Sequence, residues 1–194
     1  MKIIIIDYGA GNIQSIKFAI KRLGYNAVLS HDTEEILQAD KVIFPGVGEA
    51  SSAMKKLRAS GLDGFIPKLK QPVLGICLGM QLMCRHSEEG NTQGLGIFDL
   101  EVHKFPNSVK VPQIGWNQIM GLKSDLFKGI PESSYIYLVH SFYAPLGKET
   151  IAMSDYAFPY SAALQKNNFY GVQFHPEKSS SIGEQIVRNF LNLS

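Results

Sequence analysis

Cysteine is scarce in this sequence: there are two among 194 residues, at positions 77 and 84, with no CxxC pair. That usage suits a reducing compartment rather than a disulfide-stapled secreted scaffold. Long apolar runs are absent as well. Crossing a bilayer takes roughly 20 consecutive apolar residues, whereas the run Ile3–Ile6 is stopped at once by Asp7. The same run is too short for a signal peptide. Nineteen basic and 17 acidic residues leave a net charge of only +2, so the dense basic face of a nucleic-acid binder is missing. These absences point to a cytoplasmic chain that engages neither membrane nor nucleic acid. With 45% hydrophobic and 19% charged residues, the composition is that of a globular protein, and the length fits one domain over residues 1–194.

The first half alternates between two kinds of segment. Lys2–Ile6 is a continuous β-branched run of the sort that forms a strand buried on both faces. In Asn12–Leu23, Ile13, Ile16, Ala19, Ile20 and Leu23 recur at helical spacing, with Gly24 placed to stop the helix. Strands follow at Asn26–Leu29, Lys41–Phe44 and Val73–Ile76, with helices at Glu34–Gln38 and Ala50–Ser60. This βαβα rhythm predicts an α/β fold: an open, mostly parallel twisted sheet with helices on both faces. Beyond Gly96 the pattern changes to short strands separated by Pro and Gly, read as a β-rich insertion, at Phe98–Val102, Tyr135–Val139, Glu149–Met153, Ala162–Gln165 and Tyr170–Phe174. A last helix opens with Ser181-Ile-Gly-Glu184, a capping-box pattern.

Three segments can carry chemistry. In Gly75-Ile76-Cys77-Leu78-Gly79-Met80-Gln81, a buried strand runs through small residues into a helix read as amphipathic. A nucleophile there sits on a sharp elbow, with glycines two residues to either side permitting close backbone approach. A buried structural cysteine is the competing reading. Cys84, seven residues on and expected inside the helix, is read as core. Seven helical residues span roughly 10 Å, too far for a disulfide to Cys77.

The second segment is Gly171-Val-Gln-Phe-His175-Pro176-Glu177. Pro176 biases His175 toward extended backbone, in which residues two apart point to the same side. Glu177 can then fix the His175 tautomer and leave the other ring nitrogen for a thiol, the base-and-orienter logic of a nucleophilic triad. The alternative is an ordinary strand-end histidine beside a solvated glutamate. The third segment, Pro45-Gly46-Val47-Gly48, follows a strand and can aim backbone N–H groups at an oxyanion, or be a plain turn. Carboxyl ends of parallel strands share one crevice, so the three segments can converge. Gly9-Ala10-Gly11-Asn12 lacks the third glycine of a dinucleotide fingerprint, since position 14 is Gln. Cys77, His140, His175 and Glu177 lack metal-ligand spacing. Neither a metal nor a cofactor is therefore expected.

Together with Asp7-Tyr8-Gly9-Ala10-Gly11-Asn12, Pro112-Gln-Ile-Gly-Trp-Asn117, His140-Ser141-Phe142 and Lys178, these motifs resemble the class I (triad) glutamine amidotransferases over essentially the whole chain. The resemblance is nearest to the branch serving histidine biosynthesis. It implies a flavodoxin-like three-layer fold, with Cys77, His175 and Glu177 as the catalytic triad. It implies an oxyanion hole at Val47 and Leu78, and glutamine held by Gly46, Gly48, Gln81, Ser141 and Phe142. Members of that branch dock on a (β/α)₈-barrel cyclase as a heterodimer, which would make Asn12, Trp116, Asn117 and Lys178 interface residues. An oxyanion loop that rests misaligned and reorients at Gly46–Val47 would restrain wasteful hydrolysis. A paralogue aminating another acceptor, such as a surface-polysaccharide sugar, would share these motifs. So would a catalytically silent member of the fold, although such a member needs no intact triad.

Overall fold

The computed structural model describes residues 1–9 and 11–193, so Ala10 of the opening hexapeptide lies outside the described residues. The first half alternates as β1 (Ile3–Ile6), α1 (Ile13–Arg22), β2 (Ala27–Ser30), α2 (Thr33–Leu37), β3 (Lys41–Phe44), α3 (Ala50–Ala59) and β4 (Val73–Ile76). Every one of these falls within one residue of its expected bounds. Along β1, Ile3 and Ile5 pack with Ile16 and Ile20 of α1, whereas Ile4 and Ile6 pack with Ile36 of α2 and Met54 and Leu57 of α3. Alternate residues of a strand point to opposite faces, so a run of four isoleucines feeds two cores at once. No described helix is long and apolar enough to cross a membrane.

The second half contains α4 (Leu78–Met83), β5 (Cys84–Ser87), β6 (Thr92–Gln93), β7 (Phe98–Lys104), β8 (Gln113–Ile119), β9 (Ser134–His140), β10 (Phe142–Tyr143), β11 (Thr150–Asp155), β12 (Pro159–Lys166), β13 (Phe169–Val172) and α5 (Ser180–Leu191). The main sheet has seven strands in the order β11-β12-β13-β4-β3-β1-β2. Neighbours from β13 to β2 are parallel, and β12 and β11 are added antiparallel at one edge. The β-rich insertion of the sequence reading is thereby corrected: its last three strands extend the main sheet. Only β5, β6, β7 and β10, and the separate hairpin β8–β9, stand outside it.

Three further expectations are revised. The elbow helix α4 is not amphipathic, because all six of its residues are buried. Cys84 is core as expected, but it opens β5 rather than continuing the helix. The last helix is not started by a Ser181–Glu184 box. It begins at Ser180, and the preceding Ser179 hydroxyl instead donates to the His175 carbonyl at 2.7 Å and accepts from Tyr137 N–H at 3.0 Å. Ser179 therefore ties the His175 turn to β9.

Register explains where chemistry can gather. In the parallel ladders Phe44 lies opposite Gly75, and Val172 opposite Ile76. The chain leaves these three strands side by side, delivering residues 45–48, Cys77 and residues 173–177 to one end of the sheet.

Candidate active site

Cys77 is the residue between β4 and α4, with φ 54° and ψ −112°. Positive φ is rare for a residue with a Cβ and costs on the order of 1–3 kcal/mol, so the surrounding packing must impose it. Its N–H donates to Val172 O at 2.8 Å, which fixes the elbow to the end of β13. The glycines provide clearance for backbone rather than flexibility. A Cβ on Gly75 would lie 2.9 Å from Met80 N, and one on Gly79 would collide with the Phe44 carbonyl oxygen. Gly46 is needed for the same reason, since its Cβ would lie 2.6 Å from Gly79 N. The 45–48 loop and the start of α4 thus touch backbone to backbone. Leu78, at the first position of α4, has an N–H without an intrahelical acceptor.

His175 has extended backbone, with φ −98° and ψ 96°, and residues 176–178 then make one 3₁₀ turn. This turn, rather than continued extended chain, brings Glu177 back to the ring: Nδ1 lies 2.8 Å from Glu177 Oε1. The geometry assigns the Nδ1–H tautomer and leaves Nε2 for another partner. The Glu177 side chain is only 2% exposed. Burial disfavours a charged His175, but hydrogen bonding with Cys77 and Glu177 outweighs it, and the pKa is pushed up to about 10. Cys77, Leu78, His175, Val47 and Gly48 all border one cavity of about 360 Å³, along with Gln81, Ser141 and Phe142. Gly46, expected among the substrate-contacting residues, is instead buried behind the loop against Gly79.

The family model for "Glutamine amidotransferase class-I" matches residues 4–193. The chain belongs to this family. The class I amidotransferase is 58% identical, over the full length of both chains, to a protein of Bacteroides fragilis named imidazole glycerol phosphate synthase subunit HisH. It is 45% identical, again end to end, to one of that name from Yersinia pestis. Among solved structures, a glutamine amidotransferase aligns with TM-score 0.76 at 19% identity over 97% of this chain and 96% of that one. PurLQS of Thermotoga maritima gives TM-score 0.73 at 15% identity, covering 98% and 97%. At such identities these two structures speak for the fold alone, and the α/β architecture is that of the amidotransferases.

The far wall of the cavity is built from β9, β10 and α4. Gln81 Nε2 donates to Phe142 O at 2.9 Å and to Gln173 Oε1 at 2.8 Å. Both amide hydrogens are thereby used, and Oε1 remains as an acceptor for a ligand. His140 Nδ1 donates to the same Phe142 carbonyl at 2.7 Å, and its Nε2 lies 2.9 Å from the Gln113 amide. Burial, opposed by the bond to Phe142, pushes the His140 pKa down to about 4. His140 is therefore a neutral strut that fixes the Ser141–Phe142 segment.

Glu89 was not anticipated from the sequence. It lines the cavity and accepts the N–H of Ala50, the first residue of α3, at 2.9 Å. Burial raises its pKa, with the Ala50 bond opposing and Glu49 adding to the rise. Its location depends on the turn after β5 folding back onto α3, and no local pattern announces that.

Of the residues expected at an interface, Trp116 is 53% exposed and stacks edge-on against Tyr137, with ring centres 5.8 Å apart. Lys178 Nζ lies 6.0 Å above the same Tyr137 ring. Asn12 precedes α1, and its Oδ1 accepts from Ser15 Oγ at 3.1 Å. Asn117, next to Trp116 on β8, alternates to the opposite face and donates to Asp155 O at 2.8 Å.

Proposed function

We propose that this chain is the glutaminase subunit of an imidazole glycerol phosphate synthase: a single cytoplasmic amidotransferase domain over residues 1–194. The reading is carried by the strained Cys77 beside the His175–Glu177 pair, in a chain 58% identical end to end to a relative bearing that name.

Cys77 Sγ attacks the side-chain carboxamide carbon of glutamine, and His175 holds the thiol's proton. The oxyanion is received by the N–H of Leu78 and by a backbone N–H at Val47, where one such donor is typically worth about 3 kcal/mol. His175 then protonates the departing ammonia, and water cleaves the thioester to release glutamate. The α-ammonium and carboxylate of the substrate lie along Gly48, Gln81, Ser141 and Phe142. Glu89 and the free Oε1 of Gln81 are the groups suited to the ammonium.

Ammonia passes to a (β/α)₈-barrel cyclase, which converts PRFAR to imidazole glycerol phosphate and AICAR. Exposed Trp116 and Lys178, joined through Tyr137, form the centre of the docking face, to which Asn12 also belongs, with Asn117 bracing the hairpin. A second cavity of about 390 Å³, bordered by Gly11, Lys56 and the outer side of Val47–Gly48, leaves the oxyanion loop room to reorient on docking. Glutamate release measured alone, and then with the cyclase and PRFAR, tests the reading. Strong stimulation that disappears in Cys77→Ala supports it. Hydrolysis indifferent to the cyclase would assign the ammonia to another acceptor.

A further inference from the structure

Gln173 is fully buried at the end of β13, between the sheet and the His175 turn, and the chemistry above makes no use of it. Its amide lies between two groups that do take part. Oε1 accepts from Gln81 Nε2 at 2.8 Å, and Nε2 lies 3.8 Å from Cys77 Sγ. The Val139 carbonyl also lies 3.8 Å from the sulfur. A carbonyl can accept from a thiol but repels a thiolate, so of these two groups it is the Gln173 amide that favours the attacking form, alongside His175.

The direction of this amide is fixed from a distance. Phe142 O is an acceptor only and receives His140 Nδ1–H, so Gln81 must present its NH₂ to it. The second hydrogen of that NH₂ then demands an oxygen from Gln173, which turns the Gln173 NH₂ toward sulfur. From Gln81 the donations run one way, Gln81 to Gln173 and Gln173 to Cys77, and hydrogen bonds in series strengthen one another.

We propose that Gln173 is a positioning residue that couples recognition of the amino-acid head of glutamine to the Cys77 nucleophile. A ligand ammonium on the free Oε1 of Gln81 polarises that amide and strengthens its donation to Gln173. Gln173 in turn holds the sulfur more firmly for attack. A simple amide without the amino-acid head draws no such response. The proposal rests on Cys77 being the glutaminase nucleophile.

The test uses Gln173→Met, which keeps the volume and removes both polar ends, and Gln173→Glu, which keeps the acceptor facing Gln81. Kinetics are run on the full chain with its cyclase partner, and inactivation is followed with a glutamine-shaped diazoketone and with iodoacetamide. In Gln173→Met, kcat is expected to fall about 10- to 100-fold with KM changed less than about threefold. Inactivation by the diazoketone should slow more than inactivation by iodoacetamide. In Gln173→Glu the ionised carboxylate repels sulfur but its protonated form donates, so the kcat/KM profile should move to acid. Wild-type kinetics in both variants would overturn the proposal. So would equal slowing by both reagents with an unmoved pH profile, which is the signature of a structural role. If Gln173→Met does not melt cooperatively, the pH displacement of Gln173→Glu decides. Retained activity in Cys77→Ala would instead remove the nucleophile on which the proposal stands.

Discussion

His175 and Glu177 are two residues apart in sequence, and a single 3₁₀ turn sets Nδ1 and Oε1 2.8 Å from each other with both side chains buried. In the proposed triad the carboxylate fixes the ring so that its other nitrogen serves Cys77, and it steadies the ring's charge. Glu177→Gln keeps the shape but loses the charge, and the tautomer with it. kcat for glutamate release is expected to fall roughly 10²- to 10⁴-fold, while KM moves little. Steady-state kinetics check this, and an unchanged kcat would remove Glu177 from the triad.

The same pair sets a pH dependence. Burial lowers the His175 pKa, but bonding with Cys77 and Glu177 prevails and raises it to about 10, above the roughly 6.5 of an unfolded histidine. A raised folded value stabilises the fold fully below pH about 6.5, and that contribution is lost as the pH climbs through about 10. Thermal melts of wild type and His175→Asn across this window should converge toward alkaline pH. Parallel curves would contradict the raised value.

Gly46 separates clearance from flexibility. A methyl group there would lie 2.6 Å from Gly79 N, so the loop bearing Val47 must move away from α4. Gly46→Ala is expected to lower kcat by roughly 10²- to 10³-fold, the scale of losing one oxyanion donor, with a smaller effect on KM. Wild-type turnover in this variant would show that the loop's contact with α4 does not position the donor.

Glu89→Gln tests the ammonium subsite without disturbing the fold, because glutamine can still accept from Ala50 N. KM for glutamine is expected to rise about 10- to 100-fold, the scale of a lost charged hydrogen bond. Unchanged KM would place the ammonium elsewhere.

The parallel half of the fold was legible because its strands are short apolar runs and α1 carries an apolar stripe that Gly24 ends. The elbow was legible because Gly75 and Gly79 mark where backbones must touch. What was not legible is long-range. Nothing local reveals that β11 to β13 complete the main sheet, since edge pairing is decided by where the chain returns. α4 reads as amphipathic, yet it is covered by strands more than 60 residues away in sequence: Gln81 alone reaches Phe142 and Gln173. Ser181–Glu184 matches a capping pattern, but Ser179 has already been drawn into holding the His175 turn. Glu89 carries no motif, and Gln173, although it lies within the segment that marks His175, gains its meaning only from what the fold places against it.

Cys77 is proposed as the nucleophile of a glutaminase switched on by its cyclase. The most direct measurement is glutamate release by wild type and Cys77→Ala, each alone and then with the barrel cyclase and PRFAR. Strong stimulation of the wild type, with no release from a folded Cys77→Ala chain, is the predicted result. Glutamate release that survives the loss of Cys77 would contradict it.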